Sequence, residues 1–267
     1  MIRGILGTLT MALMLTVVTS QAAAYEVRAF AGKNRKATIN DFMPKLDLPE
    51  NKTNKFFAEQ YSFAFSPDGK EKFWFQFLIT NMGISNGRGA VRVHFTPGGG
   101  KKIKAEAAFA RKEWSASKEG KALKIQMGDN VFTGDGKQWK AHFKNKHFEA
   151  DCTITNSAPA WRPGGGTVYY GKGTNRYYDV TLLTPRGRFE ADIVMAETGE
   201  KYHLTGDVFG DNSVINISPN LQARRWVQTR KIGSKYTVML TTLQTSEQYG
   251  RKWVGYFFVA SDKGMVA

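Results

Sequence analysis

From Phe56 onward, hydrophobic and polar residues alternate in short runs. Phe73, Phe75, Phe77 and Ile79 alternate with Trp74, Gln76, Leu78 and Thr80. Val91, Val93 and Phe95 alternate with Arg92 and His94, and Phe148, Ala150, Cys152 and Ile154 with Glu149, Asp151 and Thr153. A period of two sends the two sets to opposite faces of a β-sheet. The pattern predicts strands near 56–65, 71–80, 90–96, 101–110, 121–127, 137–143, 146–155, 175–183, 186–196 and 201–209. A further group falls at 224–232, 235–243 and 252–260. Segment 105–119 carries two signals: Ala105 to Trp114 has helix-forming composition, yet Ile103, Ala105, Ala107 and Phe109 alternate. Pro67-Asp68-Gly69-Lys70 and Pro97-Gly98-Gly99-Gly100 are turns in which Pro presets φ and Gly accepts a positive one. Many short strands broken by such turns predict an all-β antiparallel barrel or sandwich. A barrel offers a cavity for an apolar ligand, and a solid, well-packed interior is the alternative.

The N-terminus reads as an export signal rather than fold. Arg3 supplies the positive end, Ile5 to Val18 the apolar run, and Ala22-Ala23-Ala24 the small-residue cleavage pattern, so residues 1–24 are expected to be removed before Tyr25. An exported, periplasmic or secreted, location follows from that reading. Residues 25–54 are polar and irregular, with Pro44 and Pro49, and read as a lead-in over the first barrel. The first domain is placed at 55–219 and the start of a second at 220–267. Asp262-Lys263-Gly264 reads as a hairpin turn, so the second sheet is expected either to be completed by the first domain or to be truncated.

Cys152 is the one cysteine, so no internal disulfide supports the core; it lies on the apolar side of its run and reads as core filler. The formal charge of +15 favours anionic partners, such as a membrane surface. Its lysines are dispersed and accompany no helix-turn-helix, zinc-finger or RNA-binding signature, so a solvated basic surface outranks specific nucleic-acid recognition.

Catalytic signals are sparse. His142 and His147 flank a turn at Asn145-Lys146 and can face each other across a hairpin, but nothing supplies a third ligand at a telling spacing, so no metal is expected. No nucleophile elbow, His-Glu-x-x-His or phosphate loop is present, and no cofactor is implied. Glu190 and Asp192 share one solvated strand face. Aromatic residues make up 13% and occupy both faces at Phe73-Trp74-Phe75 and Tyr256-Phe257-Phe258. Such a wall is apolar towards the interior and apolar again towards a neighbouring layer.

The most specific stretch runs from Pro159 to Trp226. It holds Trp161-Arg162-Pro163-Gly164-Gly165-Gly166-Thr167-Val168-Tyr169-Tyr170-Gly171, then Pro185-Arg186-Gly187-Arg188-Phe189-Glu190, Gly206-Asp207-Val208-Phe209, Pro219 and Ala223-Arg224-Arg225-Trp226. In that order it resembles the yeast survival-factor family of tandem lipocalin-like proteins. Carotenoid 1,2-hydratase and the fungal Diels–Alderase-like proteins resemble it more distantly. Asn220-Leu221-Gln222 departs from the family's pattern between the Pro and the Ala-Arg-Trp. The resemblance implies a lipocalin-like antiparallel barrel followed by the first strands of a second. It also implies binding of a hydrophobic small molecule or lipid, with Trp161, Tyr169, Tyr170, Arg225 and Trp226 at the ligand. The alternative it leaves open is a cofactor-free hydratase, cyclase or isomerase acting on a polyene or terpenoid, and a third is a solid-barrel structural or adhesion protein.

Overall fold

The computed structural model of the chain describes residues 26–84 and 86–266; the export signal and its cleavage point before Tyr25 lie outside the described residues. The barrel strands are β1 (Ala58–Pro67), β2 (Lys72–Thr80), β3 (Arg88–Thr96), β4 (Ile103–Phe109), β5 (Trp114–Glu119) and β6 (Ala122–Met127). They continue as β7 (Asn130–Gly134), β8 (Gln138–Lys144), β9 (Phe148–Asn156), β10 (Tyr177–Met195) and β11 (Lys201–Ile215). Their hydrogen-bonded order is β4-β3-β2-β1-β11-β10-β9-β8-β7-β6-β5. The barrel is closed by pairing of its last strand with its first, Ser213 opposite Gln60. It stays open between β4 and β5, which are consecutive in the chain. The result is a nearly closed antiparallel barrel, one of the two architectures the alternation predicted and consistent with the lipocalin-like barrel that the resemblance implied.

Three predicted segments resolve differently. The ambiguous 105–119 stretch is strand, one 3-10 turn at Arg111–Glu113, then strand. Trp114 ends that turn with its indole N–H donating to the Gly87 carbonyl at 2.7 Å. Strands β5 and β7 were not predicted; β5 is short and polar, with Ser115, Ser117 and Lys118. The predicted strands 175–183 and 186–196 are one 19-residue strand, β10. Its pairing with β11 shifts register between Leu182, Thr184 and Gly187. Pro185 sits at that shift because it has no N–H for the ladder, and a bulge absorbs it.

The lumen is filled. Phe75 on β2 lies 4.9 Å, centroid to centroid, from Phe143 on β8 and 6.3 Å from Phe132 on β7. Phe77 reaches Phe132 at 5.6 Å, and Phe132 stacks on Trp139 at 5.3 Å. β2 is not a sheet neighbour of β7 or β8, so these rings meet across the barrel. Cys152 is buried in the same core, and burial pushes its thiol pKa up. The lead-in seals one end. Its short helix Ile39–Phe42 drops Phe42 onto Trp139 at 5.2 Å. The Tyr61 hydroxyl lies 2.8 Å from the Phe42 carbonyl and 3.0 Å from a Glu59 carboxyl oxygen, and its one proton serves one of them at a time. Glu59 is wholly buried, which raises its pKa against the opposing pull of Lys45.

A second sheet follows: β12 (Arg225–Ile232), β13 (Tyr236–Gln244) and β14 (Trp253–Ser261), with the short strand Gly264–Met265. Met239, Leu243, Tyr256 and Phe258 pack against the outward residues Tyr178, Val180, Leu182 and Phe209 of β10 and β11. That cover explains the burial along β10: both faces are buried from Tyr177 to Gly187, and burial alternates from Arg188. Arg186 ties the units together. Only 2% of it is exposed; it donates to Asp262 at 2.6 Å and to the carbonyls of Gly233 and Ser234, both at 2.7 Å.

Candidate functional site

One candidate ligand space lies outside the barrel, between its outer wall and the second sheet. A cleft of about 400 Å³ is floored by the outward residues of β1, β2 and β11 and walled by β12 and β14. Register explains the floor. Asp211 lies opposite Ser62, Ser213 opposite Gln60, and Ile215 opposite Ala58; Gln60 lies opposite Leu78 and Ala64 opposite Trp74. These are the residues left facing outward once Tyr61, Phe63, Phe75 and Phe77 turn into the lumen. Trp226, Gln228 and Arg230 alternate along β12 and form the facing wall, with Tyr256 from β14.

A polar stripe crosses this floor. The Ser213 hydroxyl donates to Asp211 at 2.6 Å, and Gln60 donates to Ser213 at 3.5 Å. Gln76 donates to the Gln60 carbonyl oxygen at 2.6 Å, and Arg92 to the Gln76 carbonyl oxygen at 3.1 Å. Each amide is therefore held in one orientation by its neighbours. Burial raises the pKa of Asp211, offset in part by Ser213 and Arg230. Burial lowers that of Arg230, offset in part by Asp211 and Tyr256. The Arg230 guanidinium also rests over the Phe209 ring at 5.0 Å. Tyr256 is hydrogen-bonded to Thr241 and Tyr178, and burial raises the pKa of both tyrosines. A carboxyl, a guanidinium and two phenols thus converge on a space whose apolar lining is Ala58, Trp74, Leu78, Ile215 and Trp226 and whose remaining lining is polar, Glu59 and Gln222 included.

The five residues singled out from the sequence do not converge. Trp226 is on the cleft wall, 44% exposed, its ring edge-on to Tyr178 at 5.5 Å. Arg225 is exposed on the opposite face of β12. Tyr170 is 2% exposed in the core between the two units, edge-on to Tyr249 at 5.2 Å. Tyr169 lies beneath the Arg28 guanidinium at 5.2 Å. Trp161 is half-buried against the second core, its strand paired with Leu182 and Lys36. The glycine-rich turn beside it wraps a guanidinium. Arg162 donates to both Asp179 oxygens at 2.8 and 2.6 Å and to the Gly165 carbonyl at 2.6 Å. A Cβ on Gly166, where φ is +88°, would fall 2.4 Å from that guanidinium. Two of the motif's arginines, Arg162 and Arg186, are thus held in buried polar networks that join segments.

His142 faces Asp151 at 2.9 Å rather than His147, and His203 faces Asp192 at 2.7 Å with Glu190 at 3.7 Å. Among the described residues no group of three or more His, Cys, Asp or Glu is placed to hold a metal ion. Sequence reasoning missed Asp211, Arg230 and Gln228 because their partners lie on other strands. Trp74 and Tyr256 were visible as the outward and inward members of both-faced aromatic runs.

No protein-family model matches this sequence, and no curated protein does. Solved structures do match it in fold. The candidate AttH protein NE1406 of Nitrosomonas europaea superposes with a TM-score of 0.59 at 16% identity, over 83% of this chain and 71% of that one. CghA in complex with Sch210972 gives 0.62 at 11% identity, over 89% of this chain and 65% of CghA. CghA in a second structure gives 0.61 over the same shares. At these identities the likeness is one of fold, and this chain spans about two thirds of CghA's length.

Proposed function

We propose that this protein binds a hydrophobic small molecule in the cleft between the barrel's outer wall and the second sheet. One observation carries the reading: a roughly 400 Å³ recess in which two indoles, Leu78 and Ile215 stand beside a stripe of convergent polar groups. Apolar surface removed from water there contributes about 25 cal/mol per Å². Asp211, Gln228 and Arg230 set orientation. The fold likeness to CghA, solved with Sch210972, supports the same reading, as does the resemblance of Pro159–Trp226 to the survival-factor family. Titration with a panel of polyenes and terpenoids tests it. Saturable quenching of Trp fluorescence is expected, reduced at least about tenfold by Trp226→Ala; a folded protein that binds no member of the panel refutes it.

Catalysis on the bound molecule, as a hydratase, cyclase or isomerase, is a second reading. Asp211 favours it, since a carboxyl held above its ordinary pKa beside a guanidinium is suited to proton transfer. Turnover of a bound polyene that Asp211→Asn abolishes without loss of binding is the expected outcome. Export belongs to the same reading, supported by the apolar run and Ala22-Ala23-Ala24. Protein sequenced from the extracytoplasmic fraction is expected to start at Tyr25.

A further inference from the structure

A second recess opens on the same wall. It is a trough of about 570 Å³ over β2, β3 and β4, and it shares Ala58, Leu78 and Ile215 with the cleft. Its floor consists of outward residues that are unusually small for strands: Ala90 lies opposite Leu78 on one side and Ala108 on the other. Alanine is depleted in strands because it packs little surface on a pleat. Here it lowers the floor between Leu78, Met82 and Pro219 and leaves a channel.

Charge gives the trough a direction. Its charged lining residues are Arg88, Arg92 and Glu106. Glu106 lies 3.8 Å from Arg92, which also donates to Gln76. Among the described residues Arg88 has no carboxylate partner in the recess, so that end carries an excess positive charge. At the other end the cleft holds both Asp211 and Arg230, whose charges offset each other, so the excess positive charge lies at Arg88. From Arg88 on β3 the wall runs across Thr80, Ala58 and Ile215, residues in register on β2, β1 and β11. Three strand spacings make about 14 Å, the reach of an extended acyl chain.

We propose that the trough and the cleft together hold one long-chain anionic amphiphile, its headgroup on Arg88 and its chain crossing Leu78, Ala58 and Ile215 to end beneath Trp226. This rests on the cleft being the ligand site and adds the ligand's class and its orientation. The shared head chemistry is a carboxylate or a phosphate monoester on a single chain.

Calorimetric titration with octanoate, palmitate, methyl palmitate and oleoyl lysophosphatidate, each below its micelle concentration, tests it. A neutral terpenoid serves as the probe of the cleft alone. Palmitate is expected to bind at least about tenfold more tightly than octanoate, because the longer chain reaches the cleft. Arg88→Gln is expected to weaken palmitate about tenfold and methyl palmitate hardly at all, with Arg88→Lys restoring most of the loss. Ala90→Phe, which fills the trough, is expected to erase the chain-length preference and leave terpenoid binding unchanged. Lysophosphatidate binding more tightly than palmitate, with the same Arg88 dependence, assigns the head as a phosphate; the reverse assigns a carboxylate. If Arg88→Gln and Ala90→Phe change nothing while the terpenoid still binds, the trough is refuted and the cleft stands. If no ligand binds the folded protein, both fall. Circular dichroism and melting temperature of each variant separate loss of binding from loss of fold.

Discussion

Strand β2 has two faces with different fates. Phe73, Phe75, Phe77 and Ile79 face inward and are all buried, touching rings that come from the far side of the barrel. Trp74, Leu78 and Thr80 face outward; Trp74 and Leu78 line the cleft, and Leu78 and Thr80 the trough. Both faces carry large apolar side chains, and only one leaves space. Apolarity on a strand therefore marks contact with something, and what it contacts depends on the distance to the next layer. Across this lumen the opposing side chains are Phe and Trp, so they meet. On the outer wall the facing strand is β12, an edge strand whose residues are exposed along most of its length, so a gap remains.

Phe75→Ala tests that contrast most severely. Removing a ring packed against six others is expected to cost about 3–5 kcal/mol, from lost transfer energy and an unfilled cavity. Thermal unfolding should fall by roughly 10 °C, while cleft affinity in the remaining folded protein stays the same. A drop in ligand affinity equal to that of Trp226→Ala would mean that the lumen, not the cleft, holds the ligand.

Arg186→Met addresses the joint between the regions. It takes one of two arginine partners from Asp207, which keeps Arg188 at 3.3 Å, and removes both carbonyl contacts to the second sheet. Losing the hydrogen bonds of a buried guanidinium is expected to cost about 3 kcal/mol. Amide hydrogens of β12–β14 are expected to exchange faster than those of β8–β10, and the cleft ligand to bind more weakly. Equal acceleration in both sheets would contradict a separable second unit.

The helix that seals the lumen is held by an ion pair, Arg35 with Asp41, so acid should loosen it before the cleft. Burial alone would raise the pKa of Asp41. The Arg35 pair at 2.7 and 2.6 Å, the Thr38 N–H and hydroxyl, and Arg162 overcome that and lower it to about 2. Because the folded value lies below the unfolded 3.8, this stabilisation is complete above the unfolded value and is lost as pH falls towards 2. With screening it amounts to about 1 kcal/mol. Asp41→Asn should flatten the acid limb of stability against pH; an unchanged limb would place the acid sensitivity elsewhere.

Trp226→Ala should have the smallest effect on stability, below about 1 kcal/mol, because the side chain is half-exposed and rests mainly on Tyr178. Chemical denaturation measures it. A cost near that of Phe75→Ala would show that the cleft wall is a packed core.

The alternation of Phe73 to Thr80, Val91 to Phe95 and Phe148 to Ile154 determined on its own that the chain is built of antiparallel strands and which residues face the core. Side-chain direction in a strand is a local property with a period of two. The glycines of Pro163-Gly164-Gly165-Gly166 likewise announced a tight turn, because positive φ is a property of one residue. Tertiary structure decided the rest. Whether Phe75 meets Phe143 or encloses a ligand depends on the diameter of the barrel, which closure between β1 and β11 sets. Whether Asp211 and Arg230 share a cleft depends on how two separate sheets pack. The sequence placed Tyr170 and Trp226 in one family-like motif, yet one lies in the core between the units and the other on the cleft wall. A motif records neighbours along the chain, whereas a site is made by neighbours across it.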